Sequence, residues 1–221
     1  EVTDYGDIYL NDWSDEVVKQ SWEAIYKWFH ENSKSLLQLD YVREDSPTYK
    51  TFKDLNVKNM AVKILEQEVS PYIDLPNSWD EYLSLLDRKE RKELKRKMNR
   101  LDTLKNFRVC SEETMKEDFD EFIRLHRLSD PKKERFMSDE MRNFFWDLFA
   151  TKKGSWKADL CFLKIDDQNT ASIMTFEMGS EILAYNSGYD PKYDFYSVGL
   201  LLHAFKIKQA IENKKKKYDF L

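Results

Sequence analysis

The sequence lacks the features that mark several large protein classes. Two cysteines in 221 residues, Cys110 and Cys161, make no disulfide framework, and neither has the paired-cysteine or cysteine–histidine spacing of a zinc site. A reducing compartment fits that usage. Charge of one sign is missing too: 36 Lys+Arg stand against 41 Asp+Glu, a net charge of -5, so no global field draws the chain to nucleic acid or to an anionic membrane. No apolar run approaches the roughly 18 residues of a membrane helix, and the acidic start "EVTDYGDIYL" has no basic and then apolar signal region. The expectation is a soluble, cytoplasmic protein with no membrane insertion and no metal.

What is present is the material for a core, with 41% hydrophobic and 14% aromatic residues. In the first third, "DIYL" (Asp7 to Leu10) is short and β-prone, and "SDEVVKQSWEAIYKWFHEN" repeats Val18, Trp22, Ile25, Tyr26 and Phe29 at helical spacing. "LLQLDYV" (Leu36 to Val42) reads as a buried strand, Ser46-Pro47 opens a short helix, and "MAVKILEQEV" (Met60 to Val69) alternates like a half-exposed strand. That β-α-β-α-β order suggests an α/β layer.

"SPYIDLPNS", Ser70 to Ser78, reads as a linker. Ser78, three residues before Glu81, forms a capping box that opens a long helix carrying the basic run "RKERKELKRKMNR", Arg88 to Arg100. Such a run is usually a solvated face; the other reading is a contact for nucleic acid. Ser111 and Ser138 cap two more expected helices, the first setting Met115, Phe119, Phe122 and His126 on one side, the second Met141, Phe145, Leu148 and Phe149. "SDPKKERF" between them reads as a polar connection. The period then changes: "ADLCFLKI", "ASIMTFEM" and "EILAYNSGY", separated by the turn sequences "DDQNT" and "GS", predict an antiparallel meander. "KKKKYDFL" ends on what looks like the start of another strand.

Between the meander and that end lies "YDFYSVGLLLHAFKIKQA", Tyr193 to Ala210, an apolar helix that starts on Ser197-Val198-Gly199. A helix start exposes unpaired backbone N–H groups and partial positive charge, and small residues there let an anion approach them. The other reading is an ordinary serine cap and a glycine that permits close helix packing.

Two helices, a three-stranded meander, a cradle-opened helix and a further β segment together resemble the GNAT superfamily of N-acyltransferases, whose cofactor motif is R/Q-x-x-G-x-G/A. "DFYSVG", Asp194 to Gly199, occupies that frame, with Gly199 matching the last glycine, Ser197 replacing the first and Asp194 replacing Arg or Gln. "YIDLPNSWDEYLSLLDRKERKELKRKMNRL", the "LHRL" around His126, "YNSGYDPKYDFYSVG" and "KKKKYDFL" look like the branch associated with cellulose and exopolysaccharide biosynthesis, which is similar to the Fem-type aminoacyltransferases.

That resemblance implies an α/β (α+β) fold: a GNAT-like mixed, largely antiparallel sheet flanked by helices in residues 77–221. Residues 1–76 would be the later part of a first GNAT-like domain. The second domain would continue beyond the last residue, and open sheet edges would allow an oligomer. The implied activity is transfer of an acetyl or acyl group from a coenzyme A thioester to an amine or hydroxyl by direct attack in a ternary complex. The implied residues follow the same order. Ser197, Val198, Gly199 and Leu200 would hold the pyrophosphate, and a backbone N–H around Ser187 to Tyr189 would polarise the thioester carbonyl. Glu177, with Tyr185 or Tyr189 as relay, would take the proton. His126 falls in phase with an apolar face, as a core histidine does, while His126, Arg127 and Arg135 together would suit an anionic acceptor, whether a small molecule, a glycan or a peptide. The alternatives are aminoacyl transfer from charged tRNA, with the basic helix on RNA, and a binding scaffold without turnover.

Overall fold

The computed structural model describes residues 5–32, 36–54, 62–112, 116–151 and 156–221. The chain divides into two compact units, Glu1–Val69 and Ser70–Leu221.

The first unit is built on two helices, α1 (Asp15–Glu31) and α2 (Pro47–Asp54). Val18 and Trp22 are buried on α1, as the spacing predicts, and the Trp22 ring meets Phe52 edge-on at 4.8 Å. Its indole Nε1 donates to Thr48 Oγ1 at 3.0 Å, and Thr48 Oγ1 donates to Asp7 Oδ1 at 2.6 Å. Asp7 also accepts from Ser46 Oγ, so "DIYL" anchors the start of α2 instead of forming a strand. Among the described residues of this unit no strand forms, which corrects the reading of Asp7–Leu10, of Leu36–Val42 and of the described part of Met60–Val69. Strand-like sequence becomes a strand only beside a ladder partner, and these segments have none there. Met60 lies outside the described residues.

The second unit is one six-stranded sheet with helices on both faces. Its strands are β1 (Tyr72–Asp74), β2 (Phe107–Glu112), β3 (Trp156–Ile165), β4 (Gln168–Met178), β5 (Glu181–Tyr189) and β6 (Lys217–Asp219), in the order β1-β6-β5-β4-β3-β2. Every pairing is antiparallel except β5 with β6, which are joined by a helical crossover and run parallel. The expected meander is β3-β4-β5, and the mixed, largely antiparallel sheet is as foreseen. Tyr72–Asp74, read as linker, is an edge strand of the second unit.

Cys161, Leu163 and Ile165 of β3 pack with α3 (Trp79–Leu85), α4 (Arg88–Asp102) and α8 (Val198–Glu212) in one core, while the alternate residues Leu160 and Phe162 are buried on the other face. The second face is covered by α5 (Lys116–Ser129) and α7 (Asp139–Ala150), where Phe119 meets Phe122 and Phe149 and Phe145 meets Tyr185. The serine half of the capping box is present, Ser78 Oγ accepting from Glu81 N–H at 3.2 Å, whereas Glu81 Oε2 reaches one residue further back and accepts from Asn77 N–H at 3.0 Å. The long helix expected after it is two, because Leu86 turns extended and Asp87 caps α4 by accepting from Glu90 N–H at 2.7 Å.

Ser138 caps α7, accepting from Met141 N–H. Ser111 does not cap α5; it lies in β2 opposite Cys161, since an edge strand there completes the sheet. Met115 lies outside the described residues. The "polar connection" contains a short helix, α6 (Pro131–Phe136), capped by Asp130.

Candidate functional site

β5 is the strand on which the second unit turns. Its register with β4 shifts between Met174↔Asn186 and Thr175↔Ala184, leaving Tyr185 as a bulge. Its pairing with β6 covers only Glu181, Ile182 and Leu183. From Ala184 to Tyr189 β5 therefore has a strand neighbour on one side only among the described residues, and its other edge is an opening in the sheet.

Three elements close on this opening. α5 crosses so tightly that a Cβ on Gly188 would lie 2.3 Å from the His126 backbone nitrogen. The His126 ring is fully buried, and its Nε2 is 3.0 Å from Asn186 Oδ1. With Asn186 Oδ1 as acceptor, Nε2 carries the proton and Nδ1 is a bare lone pair, with no partner among the described residues. Burial holds the imidazole pKa down at about 4, helped by the charges of Lys133 and Arg127, so the ring is neutral at physiological pH.

From α6, Lys133 Nζ donates to the Ser187 carbonyl at 2.6 Å. A strand residue directs its N–H and C=O to the same side, so the Ser187 amide faces the opening as well. Burial lowers the Lys133 pKa, with Asp130 pulling the other way. On α8, His203 is also held at about 4, by burial first and the Lys133 charge second; its Nδ1 lies 3.3 Å from Tyr218 Oη.

The end of the opening is the start of α8. Ser197 sits in the left-handed region, φ 55°, and makes no side-chain cap. Its own N–H donates to Asp194 O at 2.9 Å, and Leu201 N–H donates to Ser197 O at 3.0 Å. The amides of Val198, Gly199 and Leu200 have no acceptor among the described residues. Two cations of α4 stand beside them. Lys97 Nζ donates to Ser197 Oγ at 3.0 Å; Arg100 Nη1 donates to Phe195 O at 2.5 Å and its guanidinium lies 4.4 Å from the Phe195 ring centre. Tyr189 lies against Gly199, where an added Cβ would come within 3.2 Å of the ring, so this glycine serves close packing as well as the helix start. Burial raises the Tyr189 pKa, and Asp194 adds to this by charge and hydrogen bonding.

Of the residues predicted from sequence, the structure thus gathers Ser187, Tyr189, Ser197, Val198, Gly199, Leu200 and His126 around one opening. Four others stand apart from it. Glu177 pairs with Lys215 Nζ at 2.5 Å, at the hairpin end of β4 opposite Ile182, roughly 20 Å of strand from Tyr189. Tyr185 is held in an aromatic cluster, 5.1 Å from Phe145 and 6.1 Å from Phe176. Arg127 is committed to the α6–α7 corner, donating to Met137 O and Asp139 Oδ1. Arg135 is exposed on α6.

Lys133, Asn186, His203, Lys97 and Arg100 were missed. Asp130-Pro131, a helix-start signal, offered a hint of the turn that carries Lys133. Beyond this opening, a cleft of about 540 Å³ on the outer side of α5 is lined by Arg124, Arg127, Arg142 and the apolar Ile123, Leu128 and Pro131. No group of three His, Cys, Asp or Glu among the described residues is placed to hold a metal ion, and none of their helices is long and apolar enough to cross a membrane.

Comparison with known proteins agrees with this architecture. No curated protein matches the sequence. Among solved structures, the crystal structure of FemX superposes with a TM-score of 0.62 at 13% identity, covering 96% of this chain and 70% of that one. L-PGS from Bacillus licheniformis aligns with a TM-score of 0.39 at 17% identity, over 68% of this chain and 43% of its own. The model of the acetyltransferase (GNAT) domain family matches residues 88–221, which hold five of the six strands, the β5 opening and the unpaired start of α8; the chain belongs to that family.

Proposed function

We propose that the second unit transfers an acyl group from a coenzyme A thioester to an amine or hydroxyl acceptor. The observation that carries this reading is the set of three unpartnered amides, Val198 to Leu200, at the end of the one-sided half of β5. A diphosphate suits them: it accepts from the amides, meets the positive end of α8, and has Lys97 and Arg100 within reach. The pantetheine arm then runs along β5 as an added strand would, and brings the thioester carbonyl to the Ser187 amide. Tyr189, beside the cradle, is the group to return a proton to the leaving thiolate. Residues 1–76 fit the later part of a first GNAT-like domain, and a glycan or peptide amine is the acceptor class that the exopolysaccharide and Fem resemblances favour. A reducing, cytoplasmic setting suits coenzyme A as donor.

Calorimetric titration with acetyl coenzyme A tests this. Binding in the micromolar range is expected. Gly199→Glu, which sets a carboxylate among the amides and pushes on the Tyr189 ring, is expected to weaken it at least 100-fold while the circular dichroism spectrum stays native. Unchanged affinity removes the cradle.

A second reading is favoured by the exposed basic side of α4, where Lys89, Lys92, Lys95 and Arg96 face solvent. Aminoacyl transfer from charged tRNA would use that side for the RNA backbone. Binding to tRNA that falls steeply between 50 and 200 mM salt, with no affinity for acetyl coenzyme A, selects it.

A further inference from the structure

The geometry points to Lys133 as the cation that holds the oxyanion formed at the acyl carbonyl, together with the Ser187 amide. This rests on the donor reading above and adds a side chain where a backbone N–H alone was expected. Lys133 is fixed by donating to the Ser187 carbonyl at 2.6 Å, on the unpaired side of β5. One of its three N–H groups is thereby used. The other two have no acceptor among the described residues, and Lys133 makes no ion pair there.

The charged and titratable groups around Lys133 are Asp130 at the start of its own helix, His126 and Arg127 on α5, and His203 on α8. Of these only Asp130 attracts the ammonium, and it caps α6 through Lys132 N–H at 2.6 Å. An anion appearing beside Lys133 would therefore meet a cation with spare donors and no committed counter-charge.

In the step itself the acceptor nitrogen attacks the carbonyl carbon, a C–N bond forms, and the C=O pair moves onto oxygen. Lys133 and the Ser187 N–H donate to that oxygen. Collapse restores the carbonyl and breaks the C–S bond, and the thiolate takes up the proton that the acceptor nitrogen loses. Lys133 remains an ammonium throughout. Removing one preorganised donor aimed at such an oxygen typically costs about 10²–10³ in rate.

The test is the infrared carbonyl band of carbon-13-labelled acetyl coenzyme A bound to the protein. In the wild type the band is expected at lower wavenumber than in solution. In Lys133→Met the shift shrinks to the part that the Ser187 N–H alone gives, while affinity stays within about threefold; in Lys133→Arg it is kept in full. Raising the pH of the wild type through the depressed Lys133 pKa removes the ammonium, and with it the larger part of the shift, whereas Lys133→Arg holds the full shift at that pH. This arm needs no substitution if Lys133→Met fails to fold. Equal bands in wild type and Lys133→Met, both with bound ligand, overturn the role of Lys133 alone. Absence of any acetyl coenzyme A binding by the wild type overturns the donor reading and this inference with it.

Discussion

The two halves of β5 are completed in opposite ways. In the hairpin half, Glu181 to Leu183 has a strand on each side, and the charges around it are matched: Lys215 with Glu177, Lys217 with Glu181 at 3.9 Å. In the far half, Ala184 to Tyr189 has, among the described residues, a strand on one side, an ammonium with spare donors, an imidazole with a bare nitrogen and three unpartnered amides at its end. Folding alone satisfies the first half. The second keeps polar groups that folding leaves unsatisfied among the described residues, and such groups are tolerated mainly where they work.

The largest test of that contrast is packing. Gly188 and Gly179 bracket β5. An added methyl at Gly188 lies 2.4 Å from the His126 Cα and the Leu125 carbonyl carbon, all backbone; at Gly179 it meets nothing within 4 Å, although φ there is +56°. Gly188→Ala is expected to cost more than about 3 kcal/mol, because α5 must be pushed off the strand. Gly179→Ala is expected to cost about 1 kcal/mol, the strain of a left-handed alanine. Urea midpoints measure both. Equal losses would mean that α5 does not define the open half.

Next in size is the response to acid. His126 and His203 both have folded pKa values of about 4, below the 6.5 of an unperturbed imidazole, with burial the leading cause in each. The unfolded chain therefore binds protons more readily than the folded one between those values. Stability is complete above about pH 6.5 and falls as pH drops toward 4, by up to ~3 kcal/mol for the fully buried His126. Urea unfolding at stepped pH checks this; a flat profile across that window shows that the opening is wet enough to charge its histidines.

How far the sequence was legible follows from the range of the forces involved. The meander, the caps at Ser78 and Ser138 and the helix after Ser197 were readable, because caps and alternation act within a few residues. Strand-like stretches before Val69 did not become strands, and Tyr72–Asp74 did, because a strand depends on a partner distant in sequence: β1 pairs with β6, about 145 residues on. The site splits the same way. Ser197 to Leu200 were singled out by a local pattern and Ser187 by the family resemblance, and both lie beside the half of β5 that lacks a second strand. Lys133 was not legible, since what makes it notable is its fit against a carbonyl 54 residues away. Glu177 was singled out for its apolar neighbours in sequence, but Lys215, 38 residues on, takes its carboxylate.

The smallest effect is expected from breaking that last pair. The Glu177 side chain is 41% exposed, so solvent screens it, and Glu177→Gln should cost less than about 1 kcal/mol. Lys215→Met should cost somewhat more, since Lys215 also donates to the Gly179 carbonyl at 2.8 Å, a tie that Glu177→Gln leaves in place. A double-mutant cycle separates the pair from that tie. Neither substitution should move acetyl coenzyme A affinity by more than twofold, whereas Gly199→Glu should abolish it. The decisive comparison is acyl transfer by Glu177→Gln at unchanged stability and donor affinity. If transfer is lost there, the proton acceptor works from the paired half of β5, and the division of labour between its two halves is wrong.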